Sequence, residues 1–437
     1  MERAFLEAIG QTPDDDTPRL ILADWLEENG DPDRAEFIRD QCQLAHLDNH
    51  DARCKKLRER TDELLAKNPF WKTEAAPQHF SEKVIFERGL AERLAITTQE
   101  IREDSKVLLK LSETIRKMEV TLFLDEECRE LSTSPYLNHI THIKTGCVAD
   151  SEIISLLRSE KLANLQGIDL SEGQFHDAVM DAITRNPYLR KLQSLMMGDN
   201  PLTDAAMTAL AASTQLTSVR MLDLRDLAIT SQGALALSQA PVLAAVGSLN
   251  LSNNKLGDAG IEAFARSSHL GHLEKMNLSY TKMSAEGVKA LLVAPWMTSL
   301  RQMSLEGNRF GDKGASLIAN HPGQWNVTDL KLSLTDISDE GVEELALSGK
   351  LATLTSLELY SNDDIFDDGA LALAKANAPL LTYLNVKYTS IGYAGLKALL
   401  DSKSLGLRCL VIGQGLIAPE QHEELQRMAE KRKILLA

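Results

Sequence analysis

A period of 27 residues runs through more than half of this 437-residue chain. The first apolar residue of an LxxLxL pattern recurs at that spacing, at Leu165, Leu192, Val219, Val246, Leu273, Leu300, Val327, Leu354 and Leu381. A further copy starts at Leu407, and degenerate copies precede the series around Leu90, Ile115 and Ile140. Such a period is the signature of a solenoid, in which each unit buries its apolar side only against its neighbours.

Each unit contains two kinds of local periodicity. Apolar alternation, as at Leu249 and Leu251, predicts a short strand with one buried face. After a turn, segments such as DAGIEAFA predict a helix. A glycine precedes the apolar stripe of that helix at offset 14, counting the first apolar residue as zero, in Gly233, Gly260, Gly287, Gly314, Gly341 and Gly395. One unit is therefore a strand, a turn and a helix, which predicts an α/β fold.

These units, for example LNLSNNKLGDAGIEAFA at 249–265, resemble leucine-rich repeats, closest to the ribonuclease-inhibitor-like class. The resemblance covers residues 84–417, with regular repeats over 165–406. It implies a horseshoe-shaped solenoid with a parallel sheet on its concave face and helices on its convex face. The last segment, 418–437, has Pro419 at its start, acids early and bases late, and predicts a capping helix.

Offset 8 alternates between two residue types. It holds Asn200, Asn254, Asn308 and Asn362 in alternate repeats, and Leu227, Thr281, Thr335 and Thr389 in the others. In leucine-rich repeats this asparagine satisfies backbone groups at the turn that leaves the strand, which would otherwise be buried without partners. The resemblance therefore implies a structural role, and a threonine hydroxyl can fill part of it.

The N-terminal segment differs in composition. Residues 1–47 contain 12 Asp and Glu against 4 Arg. Their apolar spacing, with Asn29-Gly30 as a helix end and Asp31 as a helix cap, predicts a small all-α domain whose core includes Trp25. The stretch LILADWLEENGDPDRAEFIRDQCQL resembles the repeat-companion domain that precedes leucine-rich repeats in large bacterial paralogue families. Residues 48–83 are predicted to form a helix and a linker.

Several function classes are disfavoured by what the sequence lacks. The motifs GxSxG, HExxH, GxxxxGK[ST] and GxGxxG are absent, so we expect neither an enzyme nor a bound cofactor. Five scattered cysteines without a CxxC pair favour reduced thiols over a zinc knuckle. Two weak metal candidates, the acidic triplet 14–16 and the group His139, His142 and Cys147, lack convergent geometry, and we expect no metal.

The net charge and the apolar runs of the sequence indicate which partners and which cellular location to expect. A net charge of −16 repels phosphate backbones, so we expect no nucleic acid partner. The basic run RCKKLRER has acidic neighbours and is interpreted as a solvated helix. No apolar run approaches the roughly 18 residues of a membrane span, and the N-terminus lacks signal-peptide features. We expect a cytoplasmic protein that binds neither a membrane nor a small-molecule substrate.

The predicted concave wall displays the side chains at offsets 2, 4 and 6, of which five are acidic and four basic in the nine regular repeats. Its C-terminal end gathers aromatic and charged residues, so we predict partner contacts there, at Tyr360, Tyr383, Lys387, Tyr388, Glu358 and Lys331. We expect Tyr360 and Tyr383 to lie roughly 5 to 7 Å apart, in adjacent repeats. An alternative site is the acidic group Asp169, Asp199, Asp223 and Asp226.

Together these features predict a non-enzymatic scaffold for protein–protein interaction that binds a partner on its concave face. The alternative is an adaptor. In that case the acidic N-terminal helical domain recruits a second protein while the repeats select a target.

Overall fold

The structure is a computed structural model that describes residues 2–12, 15–47, 52–76, 78–103, 115, 117–122, 125–134, 137–138, 140–145, 148–413 and 417–437. The chain divides into two compact units, Met1–Asp169 (unit 1) and Leu170–Ala437 (unit 2). Among the helices in these ranges, none combines the length and the apolar character needed to cross a lipid bilayer.

Unit 1 begins with helices and continues with strands. Its helices are α1 Glu2–Gln11, α2 Thr17–Glu28, α3 Pro32–His46, α4 Ala52–Lys67, α5 Phe70–Ala75, α6 Thr98–Glu103, α7 Asp125–Thr133 and α8 Asp150–Leu157. Its strands are β1 Val84–Glu87, β2 Leu90–Thr97, β3 Lys117–Leu122, β4 His142–Thr145 and β5 Gly167–Asp169.

Unit 2 alternates short strands with short helices. Its strands are β6 Ser194–Met196, β7 Met221–Asp223, β8 Ser248–Asn250, β9 Lys275–Asn277, β10 Gln302–Ser304, β11 Asp329–Lys331, β12 Ser356–Glu358, β13 Tyr383–Asn385, β14 Cys409–Val411 and β15 Leu435–Leu436. Its helices are α9 Asp177–Arg185, α10 Asp204–Ala211, α11 Ser231–Ser238, α12 Gly257–Ala265, α13 Ala285–Leu292, α14 Gly311–Ala319, α15 Asp339–Leu347, α16 Asp367–Lys375, α17 Tyr393–Asp401 and α18 Pro419–Arg432.

Helix α2 ends and helix α3 begins where the sequence indicates. Helix α2 stops at Glu28, and Gly30 follows with a φ of 94° that suits glycine. Helix α3 is capped by Asp31, whose Oδ1 accepts a hydrogen bond from the backbone N–H of Arg34 at 3.1 Å. Trp25 is half-buried and packs against the helical core, as expected.

The inner face of α2 differs from the apolar pattern of its sequence. Leu20 and Ile21 remain 41% and 49% exposed, whereas Leu22 and the guanidinium-bearing Arg19 are buried. Arg19 forms an ion pair with Glu92 of β2, which compensates the burial of its charge. Adjacent apolar residues at the edge of a helix cannot all face one core, so two of them stay in solvent.

A hairpin not foreseen from the sequence starts the sheet of unit 1. Strand β1 pairs antiparallel with β2 across a two-residue turn at Arg88 and Gly89, which have φ of 49° and 86°. Two consecutive positive φ values are the requirement of a type I′ turn, whose twist matches a hairpin. From β2 onward the strands of unit 1 pair in parallel, following chain order.

In unit 2 the strands β6 to β15 pair in parallel in chain order, and the 27-residue spacing is maintained through β13. Leu249 pairs with Met276 and Leu357 with Leu384, so equivalent offsets form rows across the sheet. Leu249 and Leu251 are buried while Ser248 and Asn250 are half-exposed. The predicted parallel sheet and its inward and outward faces are confirmed.

The asparagines at offset 8 link each repeat to the one before it. Asn308 Nδ2 donates to the carbonyl oxygens of Leu278 and Leu305, and its Oδ1 accepts from the N–H groups of Thr281 and Met283. The hydroxyl of Thr281 adds one bond, to Leu278 O at 2.8 Å. An asparagine in every second repeat thus satisfies two turns, which explains the alternation with threonine.

A second ladder, of aspartates, runs along the first turns of the helices. Asp312 accepts hydrogen bonds from the N–H and hydroxyl of Ser338, the cap of α15, and from the N–H of Gly341. A Cβ on Gly341 would lie 2.5 Å from Asp312 Oδ1. A carboxylate of the preceding repeat lies against this glycine at Gly233, Gly287, Gly341 and Gly395, whereas Gly260 and Gly314 are crowded by Leu256 and Phe310.

The last helix and strand of the sequence continue the array. Helix α18 begins at Pro419, and the Leu435 N–H donates to Arg408 O at 2.7 Å as β15 pairs with β14. Leu425 and Ala429 of α18 are buried. The predicted helix is present, and the additional strand β15 was not foreseen.

Candidate functional site

The outward side chains at offsets 2, 4 and 6 of β6 to β13 and the residues that directly follow each strand form a surface that we call the strand face. Because the register is residue for residue, each offset forms a row in which neighbours lie about 4.8 Å apart. A row therefore brings together residues that are 27 positions apart in the sequence.

Three of the predicted site residues cluster on this face. The rings of Tyr360 and Tyr388 meet edge to face, with their centroids 5.3 Å apart. Lys387 Nζ lies 5.0 Å from the centroid of the Tyr388 ring, within cation–π range. Tyr388 remains 55% exposed. This arrangement presents aromatic area and a cation to solvent.

The expected pairing of Tyr360 with Tyr383 is wrong. Tyr383 at offset 2 is in register with Ser356, whereas Tyr360 lies at offset 6, about 13 Å further along the strand direction. Residues meet across a parallel sheet only when they share a row or neighbouring rows. Tyr383 is half-buried, and burial together with the nearby Glu358 carboxylate raises its pKa to about 12.

Lys331 and Glu358 neutralise each other. Lys331 Nζ lies 2.8 Å from Glu358 Oε1. Burial lowers the pKa of Lys331, but its hydrogen bond to Glu358 and the surrounding carboxylates outweigh that effect, and the net shift is upward. The pair adds polar contacts to the site without adding net charge.

The alternative acidic site is partly neutralised from within. Arg225 lies between Asp199 and Asp223, with nitrogen–oxygen distances of 3.1 and 2.8 Å. Asp169 belongs to unit 1, where it pairs with Lys144 at 3.5 Å. Asp226 is exposed. Four carboxylates in the sequence therefore give a much weaker acidic patch than their number suggests.

Tyr280 is an aromatic residue of this face that the sequence reasoning missed. It lies at offset 7, one residue beyond the row used to predict outward side chains, and is 42% exposed. Its ring packs over Gly307 so closely that a Cβ added there would overlap Tyr280 Cδ1. The Tyr280 hydroxyl donates to Glu306 Oε1 at 3.3 Å. Burial, followed by the charge of Glu306, raises the pKa of Tyr280.

Tyr280 shares a backbone feature with Tyr388. Offset 7 has positive φ in every regular repeat, which turns its side chain away from the alternating pattern; these residues are Glu172, Asp199, Asp226, Asn253, Tyr280, Gly307, Leu334, Ser361 and Tyr388. Positive φ is a strained conformation for bulky residues such as tyrosine. Because every regular repeat shares this backbone turn, the positive φ belongs to the repeat itself, and two of its nine positions hold a tyrosine.

Ser333 is also unusual for its position. At the same offset, the hydroxyls of Ser252 and Ser279 donate to the side chains of Asn250 and Asn277. In the repeat of Ser333, Lys331 replaces that asparagine. Ser333 is 1% exposed, and its hydroxyl has no hydrogen-bond partner among the described residues. An unsatisfied buried polar group costs about 1 to 3 kcal/mol.

The remaining candidate metal ligands that the structure describes, and the Cys42 thiol, are held in structural contacts or are buried. Asp16 is held by Arg19, Arg88 and His46. Asp14, His139 and Cys147 lie outside the described residues. His142 is half-buried against Gly167, and burial lowers its pKa. Burial also raises the thiol pKa of Cys42, to about 12, so that thiol is unreactive at neutral pH.

Comparisons with known proteins address the repeats directly. A family model described as leucine-rich repeat matches residues 248–265, 269–292, 297–319, 326–346, 350–374 and 377–400. No curated protein matches this sequence. Solved structures do match, with low sequence identity.

Three of these structures illustrate the range of similarity. A chain of the yeast Rad7–Elc1 complex is 14% identical, with 92% of each chain covered and a TM-score of 0.50. An internalin from Listeria monocytogenes is 19% identical over 72% of this chain and 93% of its own, with a TM-score of 0.42. TLR13 in complex with a single-stranded RNA is 16% identical over 69% of this chain and 40% of its own, with a TM-score of 0.40.

The strand and helix of each repeat and the asparagine ladder agree with the six matched segments. Residues 248–400 of this chain contain leucine-rich repeats.

Proposed function

We propose that this protein is a non-enzymatic scaffold that binds a protein partner on the strand face of unit 2, the predicted concave wall. The observation that carries the proposal is the cluster of the exposed Tyr388 with the half-buried Tyr360 and Lys387. Tyrosine is enriched at the energetic centres of protein interfaces, because it supplies large contact area and a hydroxyl at low conformational cost.

The surroundings of this cluster favour a protein over a nucleic acid. The chain carries a net charge of −16, and the strand face contains Glu306 and the neutral pair of Lys331 and Glu358. Phosphate backbones are bound mainly through clustered lysine and arginine. Mixed charge around exposed aromatic rings suits a protein surface instead.

A second candidate is an adaptor in which unit 1 also recruits a protein. Leu20 and Ile21 of α2 are exposed beside the exposed side chain of Asp24, whose carboxylate pairs with Arg39 at 2.6 Å. Neighbouring aliphatic residues in solvent next to acidic groups can dock a basic and apolar partner. In this candidate the N-terminal helices and the repeats bind different proteins.

Three further assignments belong to the same proposal. The repeats are of the ribonuclease-inhibitor-like class, because each pairs one strand with one α-helix. The segment 1–47 is a repeat-companion domain of the kind found in bacterial paralogue families. The protein acts in the cytoplasm.

The test is quantitative capture from a lysate of the parent cell on the immobilised full-length protein. The double variant Tyr360→Ala, Tyr388→Ala removes the two tyrosines of the cluster. The matched control, Tyr188→Ala with Tyr393→Ala, removes two tyrosines outside the strand face. We expect at least one protein to be lost with the first variant and retained with the control.

Two outcomes would redirect the proposal. Equal capture by both double variants would contradict binding at the strand face, and loss of the bound material on ribonuclease treatment would indicate RNA. Capture lost only in the full-length variant Leu20→Ser, Ile21→Ser would favour the adaptor.

A further inference from the structure

Glu306, Ser333 and Tyr360 are consecutive members of one row of the strand face. The Gly307 N–H donates to Ser333 O and the Leu334 N–H to Tyr360 O, each at 3.0 Å, which fixes their order. The Tyr280 ring crosses Gly307 from the preceding repeat. Along the row, Ser333 therefore lies between the repeats that supply Tyr280 and Tyr360.

Tyr280 and Tyr360 come from strands three repeats apart, about 14 Å at ordinary strand spacing. The Tyr280 ring crosses Gly307 beside Glu306, and Tyr360 is the member of the row two strands beyond Glu306. The two tyrosines therefore lie on either side of Glu306 and Ser333 along the row.

The charge at this place is negative. Within the described residues, Glu306 forms no ion pair, and its carboxylate accepts a hydrogen bond from the Tyr280 hydroxyl. Lys331 of the next repeat pairs with Glu358, and the Glu306 charge also contributes to the raised pKa of Lys331, so one lysine is shared between two carboxylates. An unpaired carboxylate beside two aromatic rings is the chemistry that attracts a cation.

Ser333 supplies the second, independent observation. Its hydroxyl is buried on the outward side of a strand, among the row's own members, and lacks the asparagine that satisfies the equivalent serines. Buried polar groups without a partner are rare in native proteins and often mark a site completed by something absent. The hydroxyl can both donate and accept, and an N–H group that reaches its oxygen would satisfy its acceptor side.

We propose that Tyr280, Glu306, Ser333 and Tyr360 form a subsite for a cationic side chain, an arginine or a lysine, of the protein partner. The inference rests on the proposed function, because it assumes that a partner lies on the strand face. The two rings stack against the cation, the Glu306 carboxylate balances its charge, and the Ser333 oxygen accepts one of its N–H donors.

The experiment uses the full-length protein with tyrosine rings labelled with ¹³C, which gives signals from seven tyrosines. The conservative variants Tyr280→Phe and Tyr360→Phe assign the two relevant signals. The probes are N-acetyl-arginine amide and N-acetyl-lysine amide, and N-acetyl-citrulline amide is the neutral control. The cationic probes should shift both signals with saturation, and the citrulline probe should leave them in place.

Glu306→Gln should weaken the binding of the better cationic probe at least tenfold, while Glu262→Gln, on the exposed side of α12, should leave it unchanged. Arginine binding better than lysine would identify a guanidinium site, and the reverse an ammonium site. Signals that do not move, that move without saturation, that move equally with citrulline, or that are insensitive to Glu306→Gln would overturn the subsite.

The two proposals fail in different ways. If the probes have no effect but the Tyr360→Ala, Tyr388→Ala variant still loses a captured protein, only the cationic subsite is wrong. If the probes bind and no captured protein is lost, the cationic site exists but is not part of a protein-binding face, which contradicts both proposals as stated.

Discussion

The side-chain amide of Asn308 donates to the carbonyl oxygen of Leu278, thirty residues earlier in the chain, at 2.7 Å. This bond crosses from one repeat to the one before it, in the buried turn where the strand ends. The stability of the repeat that contains Leu278 therefore depends on a polar side chain of its neighbour as well as on shared apolar packing.

Asn308→Ala should lower the free energy of unfolding by about 2 to 4 kcal/mol, because it leaves several buried backbone groups without partners. Asn320→Ala, at the exposed end of α14, should cost less than about 1 kcal/mol. Urea unfolding of both variants measures the difference. Equal effects would show that the asparagine ladder is not structural.

Leu278→Ala should cost about 2 to 5 kcal/mol, since Leu278 is fully buried and its truncation leaves a cavity in the stack. Leu347 is 80% exposed, and Leu347→Ala is the matched control, with an expected change within about 0.5 kcal/mol. Urea unfolding also compares these two variants. A neutral Leu278→Ala would reverse the inward and outward assignment of the strands.

Gly341→Ala should destabilise the protein by about 1 to 3 kcal/mol, because the new methyl group would press on the Asp312 carboxylate that caps the next helix. Gly271→Ala is the control, since no atom lies within 4 Å of the place that its new methyl group would occupy. Thermal unfolding compares the two. A stabilised Gly341→Ala would mean that helix propensity outweighs the contact with Asp312.

Alkaline titration should reveal Tyr383. Its pKa in the folded protein is raised to about 12, above the ordinary value near 10. The unfolded chain therefore ionises first, so the stability that Tyr383 contributes is complete below pH 10 and is lost as the pH rises toward 12. Absorbance of tyrosinate should show a late-titrating group that is missing in Tyr383→Phe. An unchanged titration curve in that variant would refute the assignment.

The sequence predicted those features that a single repeat decides for itself. The strand around Leu249, the burial of Leu251 and the helix after it follow from local apolar spacing, and the 27-residue period then sets the register of every neighbour. The bonding of Asn308 followed in the same way, from the family resemblance. Local patterns repeated at a constant spacing therefore carry most of the fold.

What the sequence could not predict depends on contacts between repeats. The partner of Tyr360 is Tyr388 rather than Tyr383, because side-chain direction after the strand is set by a positive φ that alternation does not reveal. The acidic group at Asp199 and Asp223 is bridged by Arg225, whose direction is not encoded by spacing. The exposure of Leu20 likewise depends on the burial of Arg19.

The central claim, that a protein partner binds the strand face, is tested most directly by hydroxyl-radical footprinting of tyrosines in the purified complex with a captured protein. Tyr280 and Tyr388 are 42% and 55% exposed, and Tyr188, outside the strand face, is 41% exposed and serves as the internal reference. The account predicts that partner binding reduces oxidation of Tyr280 and Tyr388 severalfold and leaves Tyr188 unchanged. The claim would be contradicted if Tyr188 were protected while Tyr280 and Tyr388 were oxidised at the same rates as in the free protein.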